Sequence, residues 1–224
     1  MNIFLDFDGT LVDISNKYWW VYSEFFRLHG GREPDRENLW QAKRDGASDA
    51  SLLEAARLDP RLAPDLKSHI QRHVETDAAL ELDRVFPGTE SLLDELRALH
   101  ALVLISARKN PQNLVNQIRR LGLDKYFAEI LTASDESSRF PDGHTAKSII
   151  LTRSRWLPPG TQALIAGDAA MDIYTGKALG IKTCAVLSGI RSRSFLERLQ
   201  PDHILDSVHQ LPGIVGRIGY KTAK

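Results

Sequence analysis

Asp6-Phe7-Asp8-Gly9-Thr10-Leu11-Val12, launched by the apolar run Ile3-Phe4-Leu5, decides the fold. The run reads as a buried strand, and α/β sheets place their chemistry at the C-terminal ends of such strands. Residues two apart on a strand face the same side, so Asp6 and Asp8 are expected to converge. Gly9 lets the chain leave sharply without a Cβ clash. Two convergent carboxylates suggest a metal-assisted phosphoryl site. The plainer alternative is a strand ending in a glycine turn with solvated acids, and only the rest of the chain separates the two.

Working outward, short apolar, β-branched runs recur at 3–7, 102–105, 129–132, 163–166 and 183–187, with a weaker one at 203–205. From residue 85 on they alternate with helical patterns. Thr89 reads as the N-cap of a helix over 90–100, and Asn110 followed by Pro111 opens one whose Leu114, Val115, Ile118 and Leu121 form an apolar stripe. Gly122 supplies its stop, and Thr145 caps a helix running through Trp156. Strand and helix in this rhythm imply an α/β fold with a doubly wound parallel sheet.

Residues 14–84 break the rhythm, with helical patterns and no convincing strand. The expected organisation is therefore a core of residues 1–13 and 85–224 carrying a helical insert, 14–84. Trp19, Tyr22, Phe25 and Phe26 recur at helical spacing near 17–29, beside Trp20, and read as packing rather than ligand stacking. Ser48 caps a second helix through Leu58. Between them, Lys43-Arg44-Asp45-Gly46 is a basic turn, either aimed at an anionic substrate or simply solvated.

The bulk numbers exclude several classes. A chain of 224 residues can bury a substantial core, and 42% hydrophobic with 26% charged residues is ordinary for a globular protein. Twenty-nine basic residues balance 29 acidic ones, so no overall field draws the chain to nucleic acid or to an anionic membrane. Cys184 is the single cysteine, which forbids an internal disulfide, and it reads as a buried thiol in a strand. Met1 leads almost directly into the first strand and no apolar run approaches the ~18 residues of a membrane span, so a cytoplasmic chain without a signal peptide is expected.

A second acidic cluster, Gly167-Asp168-Ala169-Ala170-Met171-Asp172, follows the run at 163–166, which sets Asp168 at another C-terminal strand edge. Mg²⁺ takes hard oxygen ligands and keeps several waters, so carboxylates on two neighbouring strand ends suffice to hold it. Asp6, a backbone carbonyl near Asp8, and Asp168 are the candidate ligands, with Asp172 a further ligand or an orienting residue. Helix N-terminal capping is the ordinary alternative for Asp168 and Asp172. The run at 102–105 delivers Ser106, Ala107, Arg108 and Lys109 to the same edge, where a hydroxyl and backbone N–H groups can grip a phosphoryl oxygen. Lys147 stands in the first turn of its helix, a place the helix dipole disfavours for a cation, which invites a functional reading.

These pieces together resemble the haloacid dehalogenase superfamily, in its phosphoglycolate-phosphatase-like branch. The four motifs of that family fall in order on Asp6-Phe7-Asp8-Gly9-Thr10, Ser106, Lys147, and Gly167-Asp168 with Asp172. The resemblance spans the whole chain, since members of this branch carry a helical cap after the first motif. It implies a Rossmann-like core, an active site between core and cap, and Mg²⁺ as cofactor. Asp6 would be the nucleophile that takes the phosphoryl group and Asp8 the general acid and base. Ser106 and Lys147 would stabilise charge on the transferring oxygens. An acid at Asp8 disfavours dehalogenation, because the dehalogenating members lack one there. One departure stands out: the usual Lys-Pro pair of the third motif is replaced by Phe140-Pro141, so the lysine role falls on Lys147 or, as the alternative, on Arg139.

The expected function is thus Mg²⁺-dependent hydrolysis of a small phosphorylated metabolite by a monomer or homodimer. Lys43, Arg44 and Arg108 are the candidates for substrate contact beyond the phosphoryl group. A phosphosugar mutase would use the same residues. A phosphonate hydrolase would need a cap lysine for a Schiff base, for which Lys17 and Lys43 are available, and a non-catalytic binding protein would have no need of the intact acids.

Overall fold

The computed structural model describes residues 1–132 and 145–220, excepting the side chains of 218–220. The chain opens with β1 (Asn2–Leu5) and the short β2 (Val12–Asp13). Five helices follow: α1 (Ser15–Leu28), α2 (Arg36–Arg44), α3 (Asp49–Ala55), α4 (Ala63–His73) and α5 (Asp77–Leu80). The chain then returns through β3 (Arg84–Val85), which pairs antiparallel with β2 and so ties the two ends of the helical segment together. Alternation resumes with α6 (Thr89–Arg97), β4 (Ala101–Ser106), α7 (Pro111–Arg120), β5 (Glu129–Thr132), α8 (Ala146–Arg153), β6 (Ala163–Gly167), α9 (Ala170–Leu179) and β7 (Lys182–Val186). It ends with α10 (Arg193–Glu197), β8 (His203–Leu205) and α11 (Leu211–Tyr220).

Six strands form one parallel sheet in the order β5-β4-β1-β6-β7-β8. The order reverses direction at β1, and that switch point opens a crevice at the strand ends. Alternation along the strands divides the core into two layers. Ile3, Leu5, Leu102, Leu104, Leu164 and Cys184 pack with Leu93, Leu114 and Ile118 on one face, while Phe4, Val103, Ile105 and Ile165 meet Leu151 on the other. A sheet covered on both faces needs apolar residues at successive positions, which is why these strands read as unbroken runs.

The helical segment has a core of its own, built from Tyr22, Phe25, Phe26, Leu39, Leu52, Leu53 and Leu66. The aromatic spacing in α1 therefore reflects packing, with Tyr22 and Phe26 edge to face at 5.9 Å.

Helix ends follow local chemistry. Asn110 caps α7 by accepting from the Asn113 N–H, Ser48 caps α3, and Thr145 and Ser148 form a reciprocal capping box on α8. Two helices stop short of the spacing-based bounds, α3 at Ala55 and α8 at Arg153. Thr89 is the first residue of α6 rather than its cap. Gly88, at φ 85°, occupies the cap position, and α6 ends at Arg97. Cys184 is buried, and burial pushes its thiol up to about 12, so it behaves as an inert apolar group. No helix of the described residues is long and apolar enough to cross a membrane.

Candidate active site

Strands β1, β4 and β6 end side by side, and each delivers a polar side chain into one cleft of 290 Å³. Asp6, Asp8, Ser106, Ala107, Arg108, Lys147 and Asp168 line it from the sheet side. Lys17 and Tyr18 of α1, with Val74 and Glu75 after α4, line it from the helical segment. Strand β1 ends at Leu5, one residue before Asp6, although the Asp6 N–H still reaches the Ala166 carbonyl. Asp8 lies beyond the strand, in an isolated bridge with Val12 just before the turn at Gly9, and shares the cleft with Asp6.

Asp6 Oδ1 accepts from its neighbour's N–H, that of Phe7, at 2.8 Å and lies 2.8 Å from Lys147 Nζ. The same ammonium donates to Asp172 Oδ1 at 2.6 Å, and Asp172 Oδ2 accepts from the Ala169 N–H, capping α9. Asp172 thus caps α9, the ordinary alternative for it, and also holds Lys147. Asp168 Oδ2 accepts from the Ile190 N–H. Gly9, Gly167 and Gly189 crowd these acids so closely that a Cβ on Gly9 or Gly189 would overlap Asp168, and one on Gly167 would overlap Asp172. Only glycine permits that approach.

Asp6, Asp168 and Asp172 each offer an oxygen within 4.8 Å of the others, and all three are buried. Burial pushes Asp6 up to about 7, against the pull of Lys147 and with the push of Asp172 and Asp8. Burial and the charges of Asp6 and Asp172 likewise raise Asp168 well above the usual carboxylate range. Burial opposes charge on Lys147, yet Asp172 and Asp6 outweigh it and keep the ammonium protonated. Three carboxylates facing one ammonium are short of positive charge, and the donors are hard oxygens. That set fits a divalent cation of the Mg²⁺ class.

A raised carboxyl pKa stabilises the fold fully below the unfolded value of 3.8 and loses that contribution as pH rises through the folded value, here about 7 for Asp6. Without divalent cation the protein is therefore expected to lose about 2 to 4 kcal/mol from this cluster between pH 4.5 and 8. Mg²⁺ is expected to restore most of it at pH 8 and little at pH 4.5. Urea unfolding at the two pH values, in EDTA and in Mg²⁺, measures this; equal Mg²⁺ effects at both would contradict it.

The other half of the cleft is an ion-pair network. Arg108 donates from Nε to Asp8 Oδ2 at 2.6 Å and from Nη2 to Asp8 Oδ1 at 2.7 Å, and from Nη1 to Gln117 Oε1. Lys17, 2% exposed, donates to Asp8 Oδ1 at 3.0 Å and to Asp83 Oδ2 at 2.8 Å. Gln117 Nε2 closes the ring on Asp83 Oδ2 at 2.8 Å. Burial alone would raise Asp8, but Arg108 and Lys17 prevail and hold its carboxyl well below the usual range. Arg108 is thus engaged with Asp8 and Gln117 rather than free for substrate.

Lys43 and Arg44 do not line the cleft. Arg44 Nη2 donates to the Leu187 carbonyl at 2.7 Å, Lys43 Nζ donates to the Tyr22 hydroxyl at 2.6 Å, and Arg191 Nη1 donates to the Lys43 carbonyl. The basic turn docks the helical segment on the loop after β7. Neither Lys17 nor Lys43 presents a free amine to the cleft. Arg139 and the Phe140-Pro141 pair lie outside the described residues. The sequence reading missed Lys17 as a partner of Asp8 and missed Tyr18, Glu75, Asp83, Gln117 and the Ile190 amide. For Lys17 a signal existed: it stands in the first turn of α1, the same unfavourable placement that singled out Lys147.

A family model for haloacid dehalogenase-like hydrolases matches residues 3–186. The chain belongs to that family. It is 27% identical to a phosphoglycolate phosphatase of Synechococcus elongatus, over 93% of this chain and 94% of that protein. It is 22% identical to the pyrophosphatase PpaX of Halalkalibacterium halodurans, over 96% of each. Among solved structures it is similar to a haloacid dehalogenase-like family hydrolase of Streptococcus pneumoniae, with a TM-score of 0.73 and 21% identity, covering 96% of this chain and 97% of that one.

Proposed function

We propose that the chain is a Mg²⁺-dependent phosphatase that hydrolyses a small phosphomonoester through a phosphoryl group carried transiently by Asp6. The observation that carries this reading is a buried carboxylate at the end of the central strand, fixed by Lys147 and set beside Asp168 in a cleft shared with Ser106. The phosphatase and pyrophosphatase relatives support it. A cleft of 290 Å³ lies at the small end of ligand sites, which favours a small metabolite.

Asp6 Oδ1 faces the Lys147 ammonium and the Phe7 N–H, which leaves Oδ2 to attack phosphorus. The bond from phosphorus to the leaving oxygen breaks as the Asp6 oxygen bonds, and the leaving alcohol takes a proton from Asp8. Water then gives its proton back to Asp8 and attacks phosphorus, freeing Asp6 and inorganic phosphate. Ser106 and Lys147 hold the phosphoryl oxygens. Mg²⁺, held by Asp6, Asp168 and a carbonyl near Asp8, would supply positive charge against the phosphoryl oxygens. Asp172 keeps Lys147 in place. As arranged, Asp8 is an ionised base suited to the second step. To bring a proton to the first, it must loosen from Lys17 or Arg108, both of which donate to its Oδ1. In this reading residues 14–84 act as a cap whose α1 carries Lys17 and Tyr18 to the substrate.

Release of inorganic phosphate from a panel of phosphomonoesters, with and without Mg²⁺, tests the proposal. Mg²⁺-dependent turnover of a small member is the expected result, and silence across the panel in Mg²⁺ would sink it.

A further inference from the structure

A second polar cluster lies in the helical segment, away from the cleft. Glu24 of α1 meets His69 and His73 of α4, and one ligand atom from each lies within 4.8 Å of the others. His69 and His73 are four residues apart on one helix, so both rings fall on the face turned toward α1. His69 is 5% exposed, yet its Nε2 has no hydrogen-bond partner, and neither has the buried Glu24 Oε2 that faces it at 3.4 Å. Two buried polar atoms that meet only as a long ion pair, with no hydrogen bond to either, are costly, so their persistence calls for an explanation.

The geometry offers one. We infer that Glu24 Oε2, His69 Nε2 and His73 Nδ1 form a binding site for a transition-metal dication of the Zn²⁺ class. Ligands about 2.0–2.2 Å from a tetrahedral ion stand about 3.4 Å apart, which is the separation of the Glu24 and His69 atoms. His73 Nδ1 lies 3.9 Å from the same oxygen, and its ring, 37% exposed, stacks on that of His69 at 4.2 Å, so the His73 ring must turn to aim Nδ1 at the ion. Phe25 walls the site edge-on to His69. The half-open positions of Glu24 and His73 give the ion its way in. Two imidazoles with one carboxylate select Zn²⁺, Co²⁺ or Ni²⁺ over Mg²⁺, so this site and the acidic cluster on the sheet would sort different cations. Bound there, the ion would clamp α1 to α4. Glu24 lies two helical turns along α1 from Lys17, so the clamp would stiffen the helix that reaches Asp8 without touching substrate.

The test uses the full chain with Mg²⁺ in large excess, which occupies the acidic cluster, and Co²⁺ as probe. One Co²⁺ per chain, not displaced by Mg²⁺ and with the visible spectrum of mixed nitrogen and oxygen ligation, is expected. His73→Ala and Glu24→Gln should each weaken it about 100-fold or more, while Asp168→Asn leaves it unchanged. Zn²⁺ should raise the Tm of the wild type but not of His73→Ala. A signal independent of any variant is that Zn²⁺ moves the ring-proton resonances of two of the seven histidines. Co²⁺ binding that Mg²⁺ competes away entirely, binding that survives both substitutions, or histidine resonances that stay still would overturn the assignment and leave a simple His69–Glu24 ion pair.

Discussion

Asp6→Asn is expected to reduce phosphate release at least about 10⁴-fold while leaving the protein folded, because an amide cannot form and then release the phosphoryl bond at neutral pH. The substitution is nearly isosteric, and it removes one of three crowded carboxylates from a buried cluster short of positive charge. Without divalent cation the variant should therefore be as stable as the wild type at pH 8, or more so. That pairing of outcomes is diagnostic. Lost turnover with retained or increased stability is what a nucleophile in an electrostatically strained site predicts, whereas a merely structural Asp6 would lose both. Turnover within about tenfold of wild type would contradict the assignment of Asp6. The measurement is phosphate release on the best substrate of the panel, alongside urea unfolding of both proteins in EDTA.

The parts of this molecule that the sequence discloses are those fixed by local periodicity. A strand buried on both faces needs consecutive apolar residues, so the four inner strands of the parallel sheet stand out as runs, and their C-terminal ends mark the crevice edge. Asp6, Ser106 and Asp168 were legible for that reason, and Asn110, Thr145 and Ser48 because capping is a local event. What stayed hidden depends on partners distant in the chain. Lys17 is answered by Asp83, 66 residues away, and Arg108 by Asp8, 100 residues away. Nothing in the turn around Arg44 reveals that its target is the Leu187 carbonyl, a group every residue carries. A basic turn looks alike whether it meets a phosphate or a strand end. Asp8 is the instructive case: its type and position were readable, but its ionisation follows from two cations that approach from different elements.

Lys17→Met should destabilise the fold by about 3 to 5 kcal/mol at pH 8, the cost of breaking a buried pair from one side. Lys17 and Asp83 are 2% and 1% exposed, and without the ammonium Asp83 keeps only Gln117 at 2.8 Å and Arg108 at 3.5 Å, with its Oδ1 already unpartnered. Burial raises the Asp83 carboxyl even with Lys17 beside it, and removing the cation raises it further. A raised carboxyl pKa means that the folded state is penalised as pH climbs, so the loss should shrink as pH falls and Asp83 takes up a proton. Lys17→Met combined with Asp83→Leu leaves no buried charge in that pair and should recover most of the stability, giving a large coupling energy in the double-mutant cycle. The same single variant reports on function. Asp8 keeps its bidentate Arg108 but loses the second cation that holds its carboxyl low, so the acidic limb of the kcat profile, where Asp8 must be ionised to take the proton of water in the second step, should move to higher pH. Stability that drops with an unmoved acidic limb would mean that Lys17 only fastens the helical segment to the sheet. A limb that moves while Asp83→Leu restores the fold would place Lys17 in control of the proton on Asp8.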